Sequence, residues 1–182
     1  MGNADLRPDS EISAVIQEIK TVLDSARANV AREVNSELLN SYWNIGRIIC
    51  EYEQSAPERA DYGKQTLKVL AKELTNTFGK GFSVSNIQFM RRFYQTYQIQ
   101  QTVSVKLSWS HYCELLSISD PDKRSFYEKE AVNANWSVRE LKRQVDSSLF
   151  ERLLLSKGEV NKEQVLALAL NGNELAKPAD VI

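Results

Sequence analysis

The chain has 182 residues, which is enough for one domain or two small ones with a sizeable core. Hydrophobic residues make up 42% and charged residues 26%, and Pro and Gly number only 4 and 7, which favours helices over a turn-rich β architecture. The formal net charge of -1 excludes a surface that is basic overall, but it is compatible with a local basic patch.

Segments that would direct the chain out of the cytoplasm are not found in the sequence. There is no signal-peptide pattern, and no apolar run approaches the roughly 18 residues that span a bilayer. The two cysteines, Cys50 and Cys113, lie far apart in apolar surroundings and are expected to be reduced. We therefore expect a cytoplasmic protein with no membrane partner.

A long amphipathic pattern opens the chain. Ser10 can cap a helix whose apolar residues recur in steps of three and four from Ile12 to Tyr52. An unbroken helix would be roughly 60 Å long at 1.5 Å per residue. The pattern therefore predicts either two ordinary core helices or an arm that dimerises, and Gly46 would permit a close helix contact or a bend. We assign residues 1–53 to this N-terminal segment.

The next segments predict two helices separated by a short turn. A loop with Pro57 leads into a helix from about Lys64 to Phe78, and Gly79 follows at the usual C′ position. After the turn, Ser83 can cap a helix that runs to about Tyr97. Its expected buried residues are Ile87, Met90, Tyr94 and Tyr97. Helix, glycine-containing turn and capped helix is the helix-turn-helix arrangement.

Residues 99–107 alternate like a short strand, and Ser108 can cap a short helix after it. Asp120 followed by a proline predicts a further helix start. Ser137 and Glu140 form a capping box for a last helix that runs to about Leu155. The expected fold is mainly α with at most a small β element. Residues 54–157 would form a helix-turn-helix-like domain, and residues 158–182 a linker toward a missing C-terminal domain.

The second helix of the pair is the candidate DNA-contacting element. In a helix-turn-helix this helix enters the major groove, where Gln and Arg read base edges. Between Leu74 and Cys113 there is no Asp or Glu although the chain has 24 acids, as expected of a surface that meets phosphates. The candidate nucleic-acid-binding residues are Lys80, Ser85, Gln88, Arg91, Arg92, Gln95 and Lys106. The alternative is a solvated face of an all-α domain that never meets DNA.

Catalytic and metal-binding patterns are weak. The letters of a PD…ExK nuclease site occur at Pro121-Asp122 and Glu140-Leu141-Lys142, but both stretches begin helices, whereas that chemistry needs neighbouring strands. His111 is the single histidine and has no Cys or His at ligand spacing, so we expect it to be packed or hydrogen-bonded. We expect no catalytic residue, no metal, no cofactor and no small-molecule ligand.

Several blocks of the sequence resemble a known family. They fall in the family's order, cover positions 12 to 155 approximately, and include distinctive aromatic residues. The blocks are Ser41-Tyr42-Trp43-Asn44-Ile45-Gly46-Arg47, Ala60-Asp61-Tyr62-Gly63-Lys64, Phe78-Gly79-Lys80-Gly81-Phe82-Ser83, Leu107-Ser108-Trp109-Ser110-His111-Tyr112 and Asn135-Trp136-Ser137-Val138-Arg139-Glu140-Leu141. This pattern is similar to the N-terminal domain of the YhcG-like PD-(D/E)XK nucleases of bacteria.

The resemblance implies a helical N-terminal domain joined to a C-terminal nuclease domain whose strands and acidic residues have no counterpart in this chain. The sequence therefore predicts a non-catalytic module that binds DNA and positions a nuclease. The alternative is a protein-interaction and oligomerisation module built on the N-terminal segment. The two functions are compatible, because helix-turn-helix proteins commonly bind paired half-sites as dimers, and we expect a homodimer.

Overall fold

The protein is described by a computed structural model that covers residues 7–55, 63–99 and 103–156, with side chains described for 12–55, 65–99 and 103–155. Seven helices follow one another in these ranges: α1 (Arg7–Gln54), α2 (Gly63–Phe78), α3 (Val84–Thr96), α4 (Trp109–Leu115), α5 (Pro121–Asn133), α6 (Val138–Asp146) and α7 (Leu149–Ser156). The described residues contain no strand, and none of their helices is long and apolar enough to cross a membrane. The mainly α fold is confirmed.

The N-terminal segment is one unbroken helix of 48 residues, not two. Its first half makes few contacts with the rest of the chain, and Val22, Val30 and Val34 are each more than 60% exposed. From Leu39 onward α1 contributes buried residues to the core. The division of the chain at residue 53 stays a prediction, and the loop predicted around Pro57 lies outside the described residues.

Helix α3 is shared by two hydrophobic clusters. Ile87 joins Ile49 of α1 with Leu67 and Ala71 of α2 in the smaller cluster. Phe93 belongs to the larger cluster, which α4 to α7 complete. The buried residues of α3 are Ile87, Met90, Phe93 and, just after it, Tyr97. The prediction that Tyr94 is buried instead of Phe93 was wrong, because α4 packs on a second side of α3 and widens its buried sector.

Helices α1 and α3 are in close contact at Gly46. A Cβ at this position would lie 2.1 Å from the backbone oxygen of Met90 and 3.0 Å from the Cβ of Tyr94. No side chain fits there, since real Cβ contacts are essentially never shorter than 3.0 Å. Of the two roles predicted for Gly46, the close helix contact is confirmed, and this contact fixes where α3 lies along α1.

The prediction that Ser10 caps the first helix was wrong, since α1 begins at Arg7 and Ser10 lies within it. The other predicted caps are confirmed. The side chain of Ser83 accepts from the Asn86 amide, that of Asp120 accepts from two amides of α5, and Ser137 and Glu140 form a reciprocal capping box. Ser108 is the N-cap of α4.

Two further predictions differ from the structure. The last predicted helix is broken into α6 and α7 at Ser148, whose φ is 53°. The buried hydroxyl of Tyr127 donates to the carbonyl of Gln144 and accepts from the amide of Phe150, so both sides of the break are hydrogen-bonded. Residues 103–107 form a turn and not a strand, because Asn35 of α1 binds the Val105 and Leu107 carbonyls that a neighbouring strand would need. Residues 100–102 lie outside the described ranges.

Candidate nucleic-acid interface

Helix α3 presents one polar face away from both hydrophobic clusters. Ser85, Gln88, Arg92 and Gln95 are exposed and recur at steps of three and four, so they line one side of the helix. Met90 and Phe93, which are fully buried, lie on the opposite side. The structure therefore brings Ser85, Gln88 and Arg92 together on an open surface, whereas the Gln95 side chain also hydrogen-bonds Cys50 of α1.

The turn before α3 places Lys80 beside the start of this face. Gly79 and Gly81 adopt φ values of 82° and 121°, which side-chain-bearing residues rarely adopt. Asn86, in the first helical turn of α3, stabilises the turn of residues 79–81 because its side-chain amide donates to the Gly81 carbonyl. Its side-chain oxygen accepts from the Trp109 indole at 2.8 Å. Lys80 is exposed at the tip of a turn that is tied to both α3 and α4.

Arg92 is held by the protein without being buried. One terminal nitrogen of its guanidinium donates to the Leu116 carbonyl at 3.0 Å, and the group lies 5.8 Å from the centre of the Phe89 ring. A guanidinium has five N–H donors, so most of them are left for another acceptor. An arginine already fixed in this way loses less conformational entropy when it binds an anion.

Arg91 is engaged within the fold. Its Nε lies 2.7 Å from Oε2 of Glu53, and both side chains are partly buried, with 38% and 27% of their surface exposed. The stretch without acids in the sequence is therefore not free of acids in space, because α1 supplies Glu53. An anion would have to compete with this carboxylate for Arg91, so Arg91 is a weaker candidate than Arg92.

Lys106 is not part of the α3 face. It is exposed, but the residues on either side of it are bound to Asn35, whereas Arg91 in the middle of α3 is bound to Glu53 and Ile87, nearer the start of α3, packs with Ile49. Asn35 and Glu53 are about 27 Å apart along α1 at 1.5 Å per residue. The structure thus places Lys80 and Lys106 toward different ends of the α1–α3 pair.

A second basic face, on α6, was not predicted from the sequence. Helices α5 and α6 are joined by a four-residue turn in which Asn135 has a φ of 50°. The exposed side of α6 carries Arg139, Lys142 and Arg143. Counting acids along the chain did not reveal it, because Glu140 lies in the same helix, where it is used as a cap. The amphipathic spacing of these cations was the available signal.

The distinctive Trp109–Tyr112 block forms a junction between helices. Trp109 packs against Tyr42 of α1 and Phe93 of α3, with ring centroids 4.6 and 5.3 Å apart. His111 Nε2 lies 3.0 Å from the Trp136 carbonyl, and its Nδ1 accepts from the Ser108 amide at 3.1 Å. The prediction that His111 is hydrogen-bonded within the fold is confirmed.

Metal-ligand clusters and a reactive thiol are two features on which catalysis could rest. No group of three or more metal-binding side chains is found among them. Burial raises the pKa of Cys113 to about 11, so its thiol is protonated and weakly nucleophilic at neutral pH. Asp122 and Glu140 both lie in the first turns of helices, where they have local roles.

Comparison with known proteins identifies the family. The DUF1016 N-terminal domain family matches residues 18–152. The chain belongs to this family. It is also 38% identical to "Putative nuclease YhcG" of Escherichia coli (strain K12), over 74% of this chain and 44% of that protein. The resemblance seen in the sequence is confirmed, and the chain spans less than half the length of this relative. No solved structure shows a significant match.

Proposed function

We propose that this chain is a DNA-binding module that positions a nuclease domain and is not itself catalytic. The observation that carries the proposal is the open polar face of α3, where Arg92 is exposed and already oriented by the Leu116 carbonyl. The relative of matching sequence bears the name "Putative nuclease YhcG" and is more than twice as long as its matched part. A module that contacts DNA would hold a nuclease domain close to its substrate.

The proposed contacts divide by chemistry. Lys80 and Arg92 would meet phosphates, which attract cations regardless of sequence. Gln88 and Gln95 would reach base edges, where a side-chain amide can pair with adenine, and Ser85 would bind either kind of group. Arg91 would contribute less because Glu53 holds it, and Lys106 would make a separate phosphate contact beyond this face.

Charge reversal at exposed positions tests this assignment without disturbing packing. We expect Lys80→Glu combined with Gln88→Glu to weaken binding to a random duplex by more than tenfold, since the charge at position 80 would repel a phosphate and the charge at position 88 would be brought close to the polyanion. Gln17→Glu combined with Lys20→Glu, in the exposed first half of α1, changes the net charge by the same amount and is the matched control, which should change affinity less than twofold.

The α6 face provides the decisive comparison. If Lys142→Glu with Arg143→Glu abolishes binding while the α3 variant binds normally, DNA contacts α6 and the assignment to α3 is wrong. Circular dichroism and thermal unfolding of each variant would show that the helices are retained.

A second candidate function is assembly, and the exposed apolar side chains of α1 favour it. Val15, Ile19 and Val22 are each more than half exposed although they recur at helical spacing. Such a surface is typical of a protein interface. Molar mass in solution, measured before and after deletion of residues up to Ala31, tests it: a monomer in both cases would refute the assembly function.

A further inference from the structure

The apolar face of α1 continues beyond the exposed first half of the helix. It begins at Ile12 and passes Ile16, Ile19 and Val30, and the side chains at these positions are 47–64% exposed. It then reaches Ile48, which is 57% exposed and borders a groove between α1 and α2 with a volume of about 610 Å³. Val69 of α2 forms the other edge and is 53% exposed. One apolar strip therefore follows α1 and ends in an apolar groove.

We propose that a second copy of this chain covers the strip, with the two α1 helices antiparallel and the first turns of each lying in the α1–α2 groove of the other. The proposal rests on the assembly function proposed above and adds the partner, the direction and the register. It does not depend on DNA binding.

The apolar residues match in one antiparallel register. With the twofold axis near residue 32, Val30 lies opposite Val34 of the second copy. In the same register Ile19 lies opposite Ile45 and Ile16 lies opposite Ile48. Each pair joins positions on the same apolar strip, and the exposed ends of one helix meet the groove of the other. The strip is its own complement, which a twofold interface requires.

Charge supports the same register. Arg27, which is 79% exposed and lies 3.6 Å from Asp24 of its own helix, would lie opposite Glu37 of the second copy, and the symmetry repeats the pair. The two Glu33 residues and the two Arg32 residues would lie near the axis, so the register also brings like charges close together there, with a repulsion that opposes dimerisation. The two favourable pairs and the apolar contacts outweigh it, since exposed charges contribute only about 0.2–1 kcal/mol each.

The charged residues around the strip favour a protein partner over a membrane or a nucleic acid. Between Ile12 and Leu38 the charged residues are Glu18, Lys20, Asp24, Arg27, Arg32, Glu33 and Glu37. Acids outnumber bases by four to three, whereas a helix that binds an anionic membrane or nucleic acid has a basic polar face. A strip roughly 60 Å long and about 10 Å wide on each copy would bury about 1,200 Å² in total, which is sufficient for a specific interface.

Cysteine cross-linking of the full 182-residue chain tests the direction. We expect a chain with Ile16→Cys mixed with a chain with Ile48→Cys to form an oxidised dimer, while neither variant alone does so, because its own cysteines would be about 48 Å apart. Wild type, which retains Cys50 and Cys113, is the control for background. Self-linking of Ile16→Cys would show parallel helices and overturn the proposal while leaving assembly itself intact.

Charge exchange tests the register. By sedimentation equilibrium, Arg27→Glu should weaken dimerisation roughly fivefold, because two attractive pairs become repulsive. Arg27→Glu combined with Glu37→Arg should restore it. The two positions are ten residues apart in one helix, so no contact within a chain explains a rescue. A chain that is monomeric at 50 μM or about that concentration would refute both the register and the assembly function.

Discussion

The contact between α1 and α3 at Gly46 yields the sharpest prediction for stability. In Gly46→Ala the new methyl group would lie 2.1 Å from the Met90 oxygen and 2.8 Å from the Met90 carbonyl carbon. Backbone atoms cannot rotate away, so the two helices must separate by about 1 Å to restore van der Waals distance. Overpacking of this kind costs about 1–3 kcal/mol, and sometimes more, whereas alanine gains about 1 kcal/mol over glycine in helix propensity. Because the overlap is with backbone atoms, we place the cost at the top of this range, about 3 kcal/mol, and expect a net loss of about 2 kcal/mol in the free energy of unfolding.

Urea denaturation followed by far-ultraviolet circular dichroism measures this loss. Ser41→Ala is the matched control, since Ser41 is exposed on the same helix, and its free energy of unfolding should stay within about 0.5 kcal/mol of wild type. If Gly46→Ala is as stable as Ser41→Ala, α1 and α3 do not pack through Gly46. The placement of the α3 face relative to α1 would then be wrong as well.

Two further predictions concern groups inside the fold. His111→Ala should lower the free energy of unfolding by about 1–2 kcal/mol, because the Ser108 amide and the Trp136 carbonyl lose their partner; unchanged unfolding in urea would contradict this. Burial raises the pKa of the Glu128 carboxyl in the folded protein above its pKa in the unfolded chain. The folded state therefore favours the protonated carboxyl, and this contribution to stability is fully present only below the pKa of the unfolded chain. It is lost as pH rises through the pKa of the folded protein. Glu128→Gln keeps an acceptor for the Tyr97 hydroxyl, and its stability relative to wild type should therefore rise between pH 4 and pH 7. A difference that is constant with pH would refute the assignment.

Much of the fold could be predicted because local signals decide it. Ser83, Asp120 and Ser137 are caps whose hydrogen bonds form within one turn of the chain, and the structure contains each of them. The break at Ser148 was not predicted, because a buried tyrosine hydroxyl that is distant in sequence stabilises it. The apolar pattern of the N-terminal segment indicated how long the helical region is. It could not show whether the region forms one helix or two, because that depends on how the segment packs against other helices.

The candidate site was less predictable than the fold. The periodicity of α3 correctly placed Ser85, Gln88 and Arg92 on one exposed face. It could not show that Arg91 is paired with Glu53, since that partner is on another helix. Nor could it show that Lys80 and Lys106 lie toward different ends of the α1–α3 pair. Charge counted along a sequence does not describe charge on a surface, which depends on how helices are brought together.

The most direct test of the proposed function is the binding of a labelled random duplex to the purified chain, followed by fluorescence anisotropy over a series of salt concentrations. The polar α3 face predicts affinity that falls with salt, and log K against log salt should have a slope of about -0.9 for each phosphate contact, with a few contacts per chain. Binding of this kind would support a DNA-positioning module. Absence of binding even at low salt would contradict it.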